Sequence, residues 1–252
     1  MSHFHSGGAR LHYRLVGSGP LLVLLHNGFY SSESWEPVLP FLRDRFSCLV
    51  WDRWGYGKSS HGGMERAEIA NGLEEFDDLL DHLETSGIDT GRLVVCGHCM
   101  GGAIAARWTA RHPGRVSHLV LEATGFYSDT MLQRKVDVVA RPWDRLPESL
   151  RKTLVHMHGP LRAPEVWNFI MTWNGDYIQH PGYDLRADLQ AIDCPTLVAT
   201  GDRDVYFKPE HTREGHRHLG RGELWIPAGI GHDLHHEIPE EFARRLAAFT
   251  GT

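Results

Sequence analysis

Short apolar runs separated by helix-length amphipathic stretches repeat along this chain, and that alternation sets its fold class. Strand candidates are 11–16, 21–26, 48–52, 93–97, 119–123, 196–201 and 223–227. Several are nearly unbroken runs of Leu and Val, as expected of strands covered on both faces. Between them, 69–84 places Leu73, Phe76, Leu79, Leu80 and Leu83 along one helical stripe. Phe4, the Gly7-Gly8 pair and Leu11 predict an opening hairpin, and so an antiparallel first edge. The pattern predicts an α/β protein, a mostly parallel twisted sheet flanked by helices.

The alternation breaks after Thr124-Gly125 and resumes at Asp193-Cys194-Pro195. That gap is too long for a structureless loop in a compact domain, and it carries helical periodicity, with Val166, Phe169, Ile170 and Trp173 on one face. The expected organisation is a core of 1–125 and 185–252 with a helical lid inserted at 126–184. Most apolar residues of the insertion serve its own packing face on this reading. Trp143, Trp167, Trp173, Phe126 and Met171, with Phe29 of the core, are the candidates to line a substrate pocket.

With 252 residues, 41% of them hydrophobic, the chain can bury a sizeable core. A net charge of −6, a pI near 6.3 and scattered Lys and Arg argue against nucleic acid or an anionic membrane as partner. Residues 1–8 lack a signal-peptide pattern, and no apolar run approaches the roughly 18 residues of a membrane span, so the expectation is a soluble cytoplasmic protein. Of the four cysteines, Cys48, Cys96, Cys99 and Cys194, three lie in or beside apolar strand-like runs, which reads as reduced and buried. Cys96, His98 and Cys99 share one tight turn without a second ligand cluster at zinc-like spacing, so no metal is expected. No cofactor is implied either: there is no G-x-G-x-x-G after the first strand and no P-loop. Most of the eighteen histidines, His211, His216 and His218 among them, sit in polar contexts that predict solvated side chains.

One run carries the chemistry. Leu93-Val94-Val95-Cys96-Gly97-His98-Cys99-Met100-Gly101-Gly102 leads a short strand through a glycine-flanked turn into a helix-prone stretch. This reads as a nucleophile elbow of the G-x-S-x-G type with sulfur in place of oxygen. The glycines permit the sharp turn, and the following helix N-terminus sets oriented N–H groups and a positive dipole beside the sulfur, a setting that favours negative charge there.

Four motifs, in order, carry a resemblance to the α/β-hydrolase superfamily over nearly the whole chain except the lid. His26-Asn27-Gly28-Phe29 resembles the His-Gly-x segment that supplies an oxyanion-hole N–H. Asp52-Arg53-Trp54-Gly55-Tyr56-Gly57-Lys58-Ser59 resembles the Asp-Arg-Pro-Gly-x-Gly-x-Ser loop. The Cys99 elbow is third, and Gly201-Asp202-Arg203-Asp204 with Gly231-His232 resembles the acid and histidine loops. The resemblance implies a catalytic triad of Cys99, His232 and Asp204, with His232 moving the proton and Asp204 holding its tautomer. It implies an oxyanion hole from the N–H groups of Gly28 and Met100, Phe29 being the other candidate because Asn27 stands where glycine is usual. The family's Gly-x-x-Asp spacing selects Asp204 over Asp202, which reads as a turn residue. His98 reads as a packing neighbour, and His235 and His236 as helix-entry or solvated residues.

A cysteine nucleophile favours activated acyl groups, because in a tetrahedral intermediate thiolate leaves more readily than an amine. The leading expectation is a hydrolase or acyl-transfer enzyme acting on an ester, thioester or lactone through an acyl-cysteine. Its partner is a small-molecule substrate with an apolar or aromatic acyl group, free or as a carrier-bound thioester. Dienelactone hydrolases resemble it in using cysteine within this fold. A carbon–carbon bond hydrolase and a non-catalytic ligand-binding member of the fold are the alternatives the same residues leave open.

Overall fold

The computed structural model describes residues 2–61, 69–128, 141–172, 177 and 180–252. Its apolar runs form strands β1 (Ser2–Ser6), β2 (Ala9–Gly17), β3 (Leu21–Leu25), β4 (Ser47–Trp51), β5 (Leu93–His98), β6 (Val116–Glu122), β7 (Thr196–Ala199) and β8 (Gly222–Trp225). They build one eight-stranded sheet in the order β1-β2-β4-β3-β5-β6-β7-β8. β1 and β2 pair antiparallel, as do β2 and β4, and every later pair is parallel. The opening hairpin turns at Gly7 and Gly8, both at positive φ (55° and 89°), as a two-residue primed turn requires.

Successive residues of the central strands face opposite layers, which is why these runs are apolar throughout. Val23, Leu25 and Val95 join a core with helices α2 (Ile69–Thr85) and α3 (Met100–Arg111), while Leu22, Leu24, Val94 and Cys96 join a second core on the other face. That second core holds α1 (Leu39–Leu42) and, from the end of the chain, Leu234, Phe242 and Leu246. The α2 stripe is buried as the periodicity predicts, and its Phe76 ring lies 4.5 Å from that of Trp108 on α3. Burying such side chains contributes about 1.5–3 kcal/mol each. β7 and β8 are shorter than their apolar runs, because 200–204 and 226–232 leave the sheet to build the site described below.

The Asp52 loop is tied down at its first residue. The Asp52 carboxylate accepts bonds from Ser32 N (2.8 Å), Lys58 N (2.8 Å) and His12 Nδ1 (3.2 Å). Burial opposes its charge, but these donors outweigh burial and hold its pKa at about 2. The loop's course, and with it the position of Arg53, follows from this anchor.

Between β6 and β7 come α4 (Glu148–His158), α5 (Arg162–Thr172) and α6 (Arg186–Ala191). α4 and α5 pack on each other through Leu154, Ala163 and Trp167, and Val166 and Ile170 of α5 bury against Tyr56 of the core. His158 joins the layers: its Nδ1 accepts Gly57 N–H (3.1 Å) and its Nε2–H donates to Phe29 O (2.7 Å). Beyond β7 follow α7 (Pro209–His216), α8 (Leu234–Glu237) and α9 (Pro239–Thr250). Among the described residues no helix is long and apolar enough to cross a membrane.

Candidate active site

β5 and α3 meet at Cys99, which adopts φ 54° and ψ −113°. A non-glycine residue in such a conformation stores about 1–3 kcal/mol, which the surrounding structure must hold. It is held here by the Cys99 N–H, which donates to Glu122 O (2.9 Å), and by close backbone approach. A Cβ on Gly97 would lie 2.3 Å from Gly101 O, and one on Gly101 would lie 2.3 Å from Leu25 O. The glycines around Cys99 therefore answer to contact as well as to turning.

The loops after β7 and β8 bring Asp204 and His232 to the elbow. His232 Nδ1–H donates to Asp204 Oδ2 (2.9 Å). The Asp204 carboxylate also accepts from Thr200 Oγ1 (3.1 Å), Tyr206 N (2.7 Å) and Phe207 N (3.0 Å). Burial would raise the Asp204 pKa, but His232 and these donors hold it below the usual carboxylate range. Burial would equally lower that of His232, yet Asp204, and after it the neighbouring Cys99, carry it well above the ordinary imidazole value. Asp202 is exposed, and its carboxylate caps a turn by accepting Gly229 N–H (2.6 Å).

The oxyanion segment is equally specific. Asn27 Oδ1 accepts the N–H groups of both Phe29 and Tyr30 (2.8 Å each). Among the described residues the Gly28 N–H makes no hydrogen bond, and Met100 stands at the first position of α3, where a helix offers its N–H no acceptor. Asn27, the departure from the family pattern, therefore occupies Phe29 and leaves Gly28 available.

Several residues of this region carried no role in the sequence. The Tyr177 hydroxyl lies 3.7 Å from Cys99 Sγ and accepts Gly125 N–H (3.4 Å). Burial pushes its pKa well up, so it keeps its proton and can donate it to the sulfur. Seventy-eight residues separate Tyr177 from Cys99, and no local pattern announces the contact.

Behind the elbow lies a second carboxylate–imidazole pair. Glu122 Oε1 accepts His235 N–H (3.0 Å) and sits 2.8 Å from His235 Nδ1, with both side chains fully buried. His235 stands in the first turn of α8, as a helix-entry residue, but it is buried and not solvated: its ring lies 4.1 Å from that of Trp35 between centroids. An acidic residue ending the run Leu119-Val120-Leu121 was the available signal, since a buried carboxylate needs a partner. His98 packs between the two pairs, 4.8 Å from the His232 ring and 4.9 Å from that of His235, with Nε2 3.2 Å from His232 O. Burial lowers its pKa to about 4, so it is neutral at pH 7.

Burial opposes the Glu122 charge, but His235 and then His98 hold its pKa below the ordinary value. The stability this carboxylate contributes is therefore complete above its unfolded range, about pH 4.3, and is lost as pH falls through the depressed folded value. Breaking one partner of a buried pair costs about 3–5 kcal/mol. Glu122→Gln is expected to lower urea stability at pH 7 by that amount and to flatten the acid dependence; an unchanged midpoint would show that the pair contributes nothing.

Phe29, Trp143 and Trp167 come together, the Phe29 and Trp167 rings 5.1 Å apart, within an apolar cluster that includes Leu146 and Leu154. Trp167 Nε1–H donates to Arg141 O (2.7 Å). Trp173 lies outside the described residues. Phe126 is fully buried against α7, where His211 Nε2 accepts its N–H (2.9 Å). His211 is thereby buried and not solvated, since it stacks among Phe126, Tyr127 and Phe207. Burial raises the other thiols, Cys48 to about 12, Cys194 to about 11 and Cys96 well upward. His98, His232 and Asp233 offer atoms within 4.8 Å of one another, but a cation there would draw on the imidazole that pairs with Asp204.

The sequence pattern of the alpha/beta hydrolase family matches residues 22–245, and the chain belongs to that family. An uncharacterized protein of Mycobacterium tuberculosis is 32% identical over 286 residues, 97% of this chain and 79% of its own length. The pimeloyl-[acyl-carrier protein] methyl ester esterase of Nitrosomonas europaea is 26% identical over 264 residues, 93% of this chain and 97% of that protein. Among solved structures, the enol-lactonase of Burkholderia xenovorans LB400 superposes with a TM-score of 0.77 over 100% of both chains, at 21% identity. The protein is an enzyme of the alpha/beta hydrolase class.

Proposed function

We propose that the protein cleaves activated acyl compounds, namely esters, thioesters or lactones, through an acyl-Cys99 intermediate. The observation that carries this reading is the His232 ring, hydrogen-bonded to Asp204 (2.9 Å), together with the strained elbow that presents Cys99 at the start of α3. Cys99 Sγ attacks the acyl carbon, and its proton passes to His232, whose imidazolium Asp204 stabilises. The carbonyl oxygen takes up negative charge between the N–H groups of Gly28 and Met100. His232 returns the proton to the departing oxygen or sulfur, leaving a thioester on Cys99. Water, deprotonated by His232, then releases the acid and restores the thiol. The Tyr177 hydroxyl steadies sulfur as it regains negative charge.

The insertion acts as a lid in this scheme, with its Trp143 and Trp167 and Phe29 of the core forming an apolar face towards the acyl group. The curated name of the Nitrosomonas relative assigns it a methyl ester of a carrier-borne acyl chain, and an acyl group of that kind is among the substrates proposed for this chain. Mass spectrometry of the intact protein after mixing with aryl esters, acyl thioesters and lactones tests the reading. A mass increase that maps to Cys99 and decays with product release is expected. Turnover without an adduct, with Cys99→Ser equally active, would overturn the covalent route.

A further inference from the structure

Arg53 is 1% exposed, and among the described residues no carboxylate lies within ion-pair distance of it. Its Nη2–H donates to Asn27 O (2.8 Å), its Nη1–H approaches Met100 Sδ (3.3 Å), and its guanidinium lies over the Tyr56 ring, 4.7 Å from the centroid. Nε has no partner. The nearby acids face elsewhere: Asp52 binds Ser32, Lys58 and His12, and Glu75 binds Trp51 and Trp54. An uncompensated guanidinium in the interior is ordinarily destabilising.

Its position gives that charge a use. The Asn27 carbonyl and the Gly28 N–H belong to one planar peptide, in which they point in opposite directions. His26 Nδ1–H also donates to Asn27 O (2.7 Å), while His26 Nε2 accepts Arg53 N–H (3.2 Å), so one side of this peptide is clamped by two donors. Donors on a carbonyl oxygen polarise the amide and strengthen its N–H. The second contact of Arg53 is to Met100, the residue that supplies the other proposed oxyanion donor, and the Met100 methyl group lies 3.4 Å from where a Gly28 Cβ would stand. Arg53 therefore touches the residues on both sides of the proposed hole.

We infer that Arg53 is a positioning residue of the oxyanion hole, orienting the Asn27–Gly28 peptide and leaving its buried positive charge to be balanced by the oxyanion itself. The inference rests on the acyl-transfer reading above. The test compares two reactions of the same sulfur in wild type, Arg53→Lys and Arg53→Gln. Acylation by an aryl ester, followed by first-turnover release of the phenolate, forms an oxyanion; alkylation by iodoacetamide forms none. Acylation is expected to fall about 10- to 100-fold in Arg53→Gln, less than the ~10²–10³ lost with a direct oxyanion donor, with the loss in kcat and not in KM. Arg53→Lys, which keeps the charge, should recover part of it, and alkylation should stay within about twofold throughout. If the glutamine variant does not fold, a smaller acylation loss with unchanged alkylation in the lysine variant carries the same conclusion. Acylation unchanged in the folded variants, or acylation and alkylation falling together, overturns the inference. Absence of any Cys99 adduct in wild type overturns the parent reading, and the inference falls with it.

Discussion

Cys99→Ala is expected to abolish turnover, by about four to six orders of magnitude in kcat, while leaving the fold intact. Alanine keeps Cβ, so the elbow retains its strain and its Cys99 N–H to Glu122 O bond, and only a buried sulfur is lost. The loss therefore reports chemistry and not collapse. Steady-state kinetics on the best ester found by mass spectrometry, with circular dichroism and a thermal melt as controls on folding, makes the measurement. Full activity in the variant would remove Cys99 from the mechanism.

Asp204→Asn carries the second large effect, about 10⁴ in kcat, because an amide in place of the carboxylate leaves His232 in the wrong tautomer and without its counter-charge. Asp202→Asn should stay within a few-fold, since its exposed carboxylate only accepts Gly229 N–H and an amide oxygen can do the same. The pH profile separates a catalytic role from a structural one. Asp204 heads the influences that raise His232 above the ordinary imidazole value, so removing its charge should move the limb governed by His232 to lower pH. The reverse ranking of the two variants would reassign the acid.

Much of the architecture was legible because it rests on periodicity. The two-faced strands, the α2 stripe and the glycine pair of the hairpin each follow from local pattern and local backbone freedom. The elbow was legible for the same reason, strand, turn and helix being contiguous there. Short motifs singled out His232 and Asp204, although nothing local shows that two residues 28 apart meet in one hydrogen bond.

Other features escaped because their partners are remote in sequence. His211 and His235 stand in polar surroundings along the chain, yet each is buried by an element that arrives from elsewhere, Phe126 for one and Glu122 for the other. Arg53 reads as one letter of a loop motif until the fold shows it against Asn27 and Met100, without a counter-ion among the described residues. The sequence by itself determined the sheet-and-helix order, the sharp turn at Cys99 and the residue types able to run acyl transfer, since these depend on side-chain period and on φ, ψ restrictions a few residues long. Only the tertiary structure decided that, among the described residues, Gly28 and not Phe29 has an unused N–H, that Tyr177 faces the sulfur, and which buried charges are paired. Those outcomes depend on which groups are brought together and shut off from water, and no local stretch of chain encodes that.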